Sequence, residues 1–485
     1  MFNLNKKPDL WRSNEVAEIL DVQSSFDWIA TGVSIDSRTV CYGDLFIPLK
    51  GNNFDGHNFI LDAFNKGAVA AVSENKANHL KGLPILVVND AYEALNKLAL
   101  EARKRCGAKI IAVTGSVGKT SIKDAIGKLL SAQGRTFFSP ESYNNHIGVP
   151  LSLTRLPLKT EYAVLELGMN HAGEIKLLSE MVKPDIAIIS NIEPVHIEFF
   201  SSLEEIAMAK AEIFEGLKLD GVAILNRDNK YFDLLSELAF KSGASKVVSF
   251  GLHEDAYFRL IEIKTSSSNS LIRASKNRKE FNYKVTISGE HWAFNSIVSL
   301  AAIYCAGANL ELAAASFSDI KPLKGRGETH IFSSIKGKIN LIDDSYNASP
   351  VSVSAAINLI KNAEVKENGR RILVLGDMME LGSKTKKYHL ELAPKITEAK
   401  IDLVYVTGKN MEIMSETLPD TVSIFVAKTS QELIDPLLHT IKGNDLILIK
   451  GSAAMSMSKV VDAIRDRFDI LDPEIKKSKE RLDAL

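Results

Sequence analysis

Apolar residues in this chain fall in short continuous runs, and helix-period segments separate the runs. Within residues 1–90, apolar runs at 44–49, 68–72 and 85–88 lie among Gly and Asn turns, which predicts a small α/β layer. Apolar positions at helical spacing over 92–105 predict a connecting helix. A buried strand at 109–114 then opens a strand–helix alternation, with strands predicted at 162–167, 185–190 and 222–226 and a helix over 203–217. Continuous aliphatic strands alternating with helices indicate a parallel sheet covered on both faces. Residues 265–279 are polar and rich in Ser, Asn and Lys, and they read as an exposed hairpin or loop. Helical patterning returns over 292–306. A third strand–helix series starts near Lys321, with strands at 339–343, 371–375, 402–407 and 445–450, and the charged tail from Asp472 is expected to fray.

The expectation is therefore an α/β protein of three domains, spanning 1–90, 91–320 and 321–485. The first is small, the second is a parallel-sheet domain with a phosphate loop, and the third is Rossmann-like. The length of 485 residues agrees with this division, at roughly 100–200 residues per domain. Lys and Arg total 59 against 60 Asp and Glu, so no bulk field favours nucleic acid or a membrane surface. Cys41, Cys106 and Cys305 are odd in number, far apart and in no metal spacing, as expected of reduced, buried thiols in a cytoplasmic protein. The N-terminal MFNLNKKPDLW has no apolar leader core, and no apolar run is long enough to span a bilayer. Nothing in the pattern demands more than a monomer.

Candidate chemistry begins at Thr114-Gly115-Ser116-Val117-Gly118-Lys119-Thr120, between a buried strand and a helical run. Glycines let backbone N–H groups close around phosphate oxygens, and a helix N-terminus adds positive partial charge. Lys119 would reach the β- and γ-phosphates, and the Thr120 hydroxyl would ligate Mg²⁺. Val113 stands where the longer, common form of this loop has glycine. Glu166 ends the next strand, on the edge where ligands collect in open parallel sheets, and a carboxylate there suits Mg²⁺. His196 follows the strand at 185–190 on the same edge, although a lone histidine is more often structural. Lys210, on spacing alone, reads as a solvated helix face. Asn295 either reads an adenine edge with its amide or caps a helix. Arg326, between Gly325 and Gly327, suits bidentate phosphate contact or else is a hinge arginine. Asp343 and Asp344 end a strand side by side, which is costly unless they are solvated or engaged by a ligand.

These motifs, together with Asn144-Asn145-His146-Ile147-Gly148-Val149-Pro150, Asp343-Asp344-Ser345-Tyr346-Asn347-Ala348 and Val33-Ser34-Ile35-Asp36-Ser37-Arg38, resemble the muramyl ligase family, in particular its D-alanyl-D-alanine-adding members. The resemblance covers about residues 33–461. It implies a UDP-binding first domain, ATP and Mg²⁺ as cofactors, and UDP-N-acetylmuramoyl-tripeptide and D-alanyl-D-alanine as substrates. It implies that Thr114 to Thr120, Asn295, Arg326 and Asp343 bind ATP. Thr120, Glu166 and His196 would serve magnesium. Lys119, His196, Lys210 and Arg326 would be catalytic, and Lys210 matches a lysine that siblings carbamylate. Ser34, Asp36, Ser37, Arg38, Asn144, Asn145, Asp344, Tyr346 and Asn347 would contact the other substrates. Lys450-Gly451-Ser452 departs from the family pattern: Ala453 and Ser458 stand where arginine and glutamate are usual, so no role is carried over to those positions.

Three other readings compete. A sibling ligase would use another acceptor, but the Asp-Ser-Arg segment argues against a folate enzyme. A phosphate-loop kinase or ATPase would not need a third α/β domain carrying Arg326 and Asp343. A non-catalytic nucleotide scaffold would not need Lys119, Thr120, Glu166 and His196 together.

Overall fold

The structure is a computed structural model that describes residues 8–51, 54–75, 80–195, 197–265, 269–287, 289–334 and 336–471. Three principal sheets follow one another along the chain. The first is four-stranded and parallel, in the order Gly32–Ser34, Asp44–Phe46, Ala70–Ser73, Ile85–Val87. The helix Ala91–Arg105 begins at Asp90, whose carboxylate accepts the Glu93 N–H at 2.8 Å. Its Ala94, Leu95, Leu98 and Ala102 complete the core of the first layer, while Ala99 faces the central core.

The central sheet has nine strands. Its parallel part runs Lys246–Gly251, Val222–Asn226, Ile186–Ile189, Lys109–Thr114, Tyr162–Glu166, Thr136–Phe138. Helices cover both faces and leave two separate apolar cores, one on each side. This explains why the strands lack polar alternation: neither face meets water.

The described part of the polar stretch, 265 and 269–279, belongs to a meander, Phe258–Thr265, Ser270–Lys276, Lys279–Val285, whose first strand pairs parallel with Lys246–Gly251 and whose later strands run antiparallel in turn. Ile272, Ala274, Tyr283 and Val285 point into the core, and Lys and Arg occupy the outer face. The first and last of these strands were hidden because charged residues such as Arg259, Glu262, Lys264, Glu280 and Lys284 interrupt their apolar pattern.

The third sheet has the order Glu328–Ser334, Gly337–Asp344, Leu446–Lys450, Arg371–Gly376, Leu403–Thr407, Ser423–Ala427, with only the first strand antiparallel. The charged tail expected to fray, from Asp472 onward, lies outside the described residues.

Among the described residues no helix is long and apolar enough to cross a membrane. Cys41, Cys106 and Cys305 are all free thiols, but against the expectation of burial only Cys106 is buried: Cys305 is half-buried, and Cys41 is exposed in the turn before strand Asp44–Phe46.

Candidate active site

Strand register sets the site. Thr114 pairs with Ile189 on one side, and Val113 pairs with Glu166 on the other. The phosphate loop, Glu166 and the segment after Ile189 therefore share one edge of the sheet, as the order of strands and helices requires.

The loop itself needs its glycines. Gly115 has φ +142°, and a Cβ there would lie 2.0 Å from the Ser190 hydroxyl oxygen. Gly118 has φ +84°, and a Cβ there would lie 2.8 Å from Asn295 Oδ1. Ser116 Oγ donates to the Glu193 carbonyl and accepts the Glu193 N–H, both at 2.9 Å, while Ser190 Oγ donates to the Val117 carbonyl at 2.6 Å. The loop is thus held from the neighbouring strand's end.

Lys119 begins the helix Lys119–Ser131, and its ammonium donates to the Gly115 carbonyl at 2.8 Å. Burial lowers its pKa; the Glu166 carboxylate opposes that shift, and Arg326 adds to it.

Glu166 is 1% exposed. Asn144 Nδ2 donates to its Oε1 at 2.7 Å, and its Oε2 is buried without a hydrogen-bond partner. An unpaired buried carboxylate oxygen is costly unless a cation or donor meets it. With the Thr120 hydroxyl on the same edge, this donor set fits a hard divalent cation that takes oxygen ligands. His196, expected beside it, lies outside the described residues.

Lys210 ends up far from the solvated face that spacing suggested. It is 1% exposed, near the end of the helix Leu203–Ala211. Burial, and then the charge of Lys119, hold its pKa well below the ordinary lysine value. Asn295 is not a cap, because its helix, Glu290–Cys305, starts five residues earlier, and its amide oxygen faces Gly118.

Arg326 comes from beyond the central sheet. Its Nη2 donates to Thr120 Oγ1 at 3.0 Å and to Ser142 Oγ at 3.3 Å, and its guanidinium carbon lies 3.9 Å from the Tyr346 ring centroid. Tyr346 Oη donates to Ser142 Oγ at 2.9 Å. Gly325, at φ +73°, lets this arginine loop pass against the Tyr346 backbone, whose N–H donates to the Gly325 carbonyl at 3.0 Å.

Asp343 and Asp344 part company. Asp343 is fully buried in the third domain: its Oδ1 accepts the Ser345 hydroxyl at 2.6 Å, and its Oδ2 sits 3.9 Å from Arg465. Asp344 receives the Lys450 ammonium at 2.6 Å, and the same ammonium donates to the Asn347 carbonyl at 2.9 Å. The lysine of the divergent Lys450-Gly451-Ser452 segment thus fixes the 344–347 loop. The Asn347 side chain turns back to the Ala348 N–H at 2.9 Å. Asn145 gives its Oδ1 to the N–H groups of Ile147 and Gly148, at 3.2 and 2.9 Å, and so starts the helix Gly148–Thr154.

In the first sheet, the buried Ser34 hydroxyl donates to the Asp36 carbonyl at 3.0 Å. The Asp36 carboxylate accepts from Arg38 Nε and Nη2 at 2.9 and 2.7 Å, and this pairing lowers its pKa. Lys66 donates to the Ser37 carbonyl at 2.9 Å.

Sequence reasoning missed Ser142 and Lys123. Nothing around Ser142 marks it. Lys123 had one available signal, its place one helical turn after Lys119 on the face toward the site.

A phosphate loop, an orphaned carboxylate oxygen and an arginine supplied from beyond the central sheet define a nucleotide-dependent enzyme. The comparisons with known proteins narrow that class. Residues 30–113 match the Mur ligase family catalytic domain, 113–303 the Mur ligase middle domain, and 325–453 the Mur ligase glutamate ligase domain. A UDP-N-acetylmuramoyl-tripeptide–D-alanyl-D-alanine ligase from Rickettsia prowazekii (strain Madrid E) is 36% identical over 93% of this chain and 99% of its own length. A crystal structure of MurF from Acinetobacter baumannii superposes with a TM-score of 0.80 at 27% identity, covering 94% of this chain and 99% of that one. The MurF ligase of Thermotoga maritima in complex with ADP gives 0.73 at 26% identity, covering 89% and 96%. The chain belongs to the Mur ligase family, and its three-domain α/β architecture is that of the family.

Proposed function

We propose that this chain joins D-alanyl-D-alanine to UDP-N-acetylmuramoyl-tripeptide at the expense of ATP, giving the UDP-muramyl-pentapeptide precursor of peptidoglycan, ADP and phosphate. The observation that carries this reading is the meeting of Arg326 with Thr120 of the phosphate loop across the domain boundary, in a chain whose curated relatives with this activity match along nearly its full length.

The chemistry follows from charge. The terminal carboxylate of the tripeptide attacks the γ-phosphate, the bond to the β-bridging oxygen breaks, and ADP leaves. Both reactants are anionic. Lys119 and Arg326 offset their repulsion and the charge spread over the transferring phosphoryl group. Magnesium would be held by Glu166, with His196 as a further proposed ligand and with Thr120 in exchange for one of the two hydrogen bonds its hydroxyl accepts here, and would supply Lewis-acid neutralisation of the phosphates. The amine of the dipeptide then attacks the acyl carbon and phosphate departs. An α-amino group titrates near ~8, so a reactive neutral fraction exists at neutral pH without a dedicated base. Contact between the second and third domains keeps water from the acyl phosphate.

Burial disfavours the Lys210 ammonium, which favours the neutral form that carbamylation requires. Asn295 is placed beside Gly118 for the adenosine side. The domain limits 1–90, 91–320 and 321–485 remain part of this proposal. Dependence on ATP and on a nucleotide-linked substrate assigns the reaction to the cytoplasm, and the chain is proposed to act as a monomer.

The test is phosphate release from ATP with UDP-muramyl-tripeptide, with and without D-alanyl-D-alanine, plus mass analysis of the product. Dipeptide-dependent release with formation of the pentapeptide is expected. ATP turnover without pentapeptide would overturn the assignment of acceptor and point to single amino acids.

A further inference from the structure

Lys123 is a buried cation, 1% exposed, whose ammonium donates to two backbone carbonyls, those of Ser139 and Glu141, the latter at 2.8 Å. The phosphate-loop helix thereby pins the loop that follows the strand Thr136–Phe138. Glu141 in that loop has φ +48°, a left-handed conformation that a glutamate keeps only where its surroundings dictate it. The next residue is Ser142.

Ser142 Oγ lies 3.0 Å from Thr120 Oγ1, 3.3 Å from Arg326 Nη2 and 2.9 Å from Tyr346 Oη. A hydroxyl has one proton and two lone pairs. Arg326 can only donate, and the tyrosine donates as well, so both lone pairs of Ser142 are taken. Its own proton then goes to Thr120 Oγ1, which also accepts from Arg326 at 3.0 Å. One serine, on a loop braced from the phosphate-loop helix, thus connects that helix to two side chains of the third domain.

We infer that Ser142 is a positioning residue for phosphoryl transfer, which registers Arg326 and Tyr346 of the third domain on Thr120 of the phosphate loop. The inference rests on the ligase reading above. Without the hydroxyl the nucleotide cradle stays intact, because none of the bonds that hold the loop 115–118 passes through Ser142. The third domain then arrives without its register. A misplacement of about 1 Å costs on the order of 10²-fold in rate.

The experiment compares wild type, Ser142→Ala and Ser142→Thr by pentapeptide formation and by calorimetric titration with Mg·ADP. Ser142→Ala is expected to lower kcat by about 10- to 100-fold, while KM for ATP and Kd for ADP change by less than about threefold. Ser142→Thr, which keeps the hydroxyl, returns kcat to within about threefold of wild type. Tyr346→Phe alone costs less, and adding it to Ser142→Ala costs little more, because members of one network do not add. A kcat within about twofold of wild type for Ser142→Ala would overturn the inference. So would a matching loss of ADP affinity, or a threonine variant as poor as the alanine one. If the wild type served only a different acceptor, the acceptor assignment would fall, and the same kcat ratios measured with that acceptor would still decide the role of Ser142.

Discussion

The side chains of the turn that follows strand Gly32–Ser34 bond within a few residues, with Lys66 adding a contact to its backbone from 29 positions away, whereas the phosphate-loop edge draws on side chains up to 206 positions apart. In the turn, Ser34, Asp36 and Arg38 bond to one another, and the Arg38 side chain is 84% exposed. At the edge, Glu166 and Lys210 are each 1% exposed, and the bonds that join it to Ser190, Glu193, Ser142 and Arg326 all span more than twenty positions in sequence. A local, solvated motif is preformed but weak, since water competes for each of its bonds. A buried, long-range cluster costs more to assemble, and each member then contributes more. Substrate capture at the first sheet should therefore be graded and tolerant of change, and turnover at the phosphate edge should be steep.

Arg326 offers the largest test of that contrast. Arg326→Ala is expected to lower kcat for pentapeptide formation by about 10²–10³-fold, the range for loss of one preorganised charged donor at a developing charge. Its effect on ADP affinity should be much smaller, because the arginine engages from another domain and does not build the phosphate cradle. Steady-state kinetics beside ADP calorimetry separates the two. Equal losses would mean that Arg326 is part of the ground-state nucleotide site, and the idea of catalytic closure would fail.

The same contrast governs what was legible in the sequence. Continuous apolar runs marked the strands at 109–114, 162–166 and 371–376 because both faces of those strands are covered. Strands Ser270–Lys276 and Lys279–Val285 were poorly marked, because one face is charged and wet. Local chemistry could be read where spacing itself makes the loop, as in 114–120, whereas 34–38 was singled out only by the family resemblance. Lys210 was misjudged on spacing, since the single polar residue at its position gives no hint that it shares the buried side of its helix with Ile206, Ala207, Ala209 and Ala211, while Glu204, Glu205 and Met208 take the exposed side. Ser142 was missed altogether: its importance comes from Thr120, Arg326 and Tyr346, and folding alone brings these together.

The first sheet offers a smaller effect. Arg38→Ala frees Asp36 and removes one exposed cation from the turn assigned to the UDP-linked substrate. KM for UDP-muramyl-tripeptide is expected to rise about three- to tenfold, as for other exposed ion pairs, with kcat nearly unchanged. Titration of the tripeptide at saturating ATP and dipeptide measures this. An unchanged KM would take the turn out of the substrate site, and a large fall in kcat would erase the distinction between the two regions.

Lys210 gives the subtlest measurement, because its environment is defined by burial more than by partners. Its folded-state pKa lies well below the ordinary value of 10.5. Between those two values the unfolded chain binds more protons than the folded one, so this group makes stability rise with pH across that window. Lys210→Met keeps an apolar stem and removes the titration. Denaturant midpoints for the two proteins, measured at intervals from pH 7 to about pH 10, should then converge: any advantage of the methionine variant is greatest at the low end and shrinks as wild-type Lys210 is relieved of its proton. A methionine variant that is less stable by the same margin at every pH would mean that the nitrogen does not titrate as an amine in the folded enzyme. The reading of Lys210 as a buried amine would then fail, and a carbamate, whose negative charge the neighbouring Lys119 would favour, would take its place.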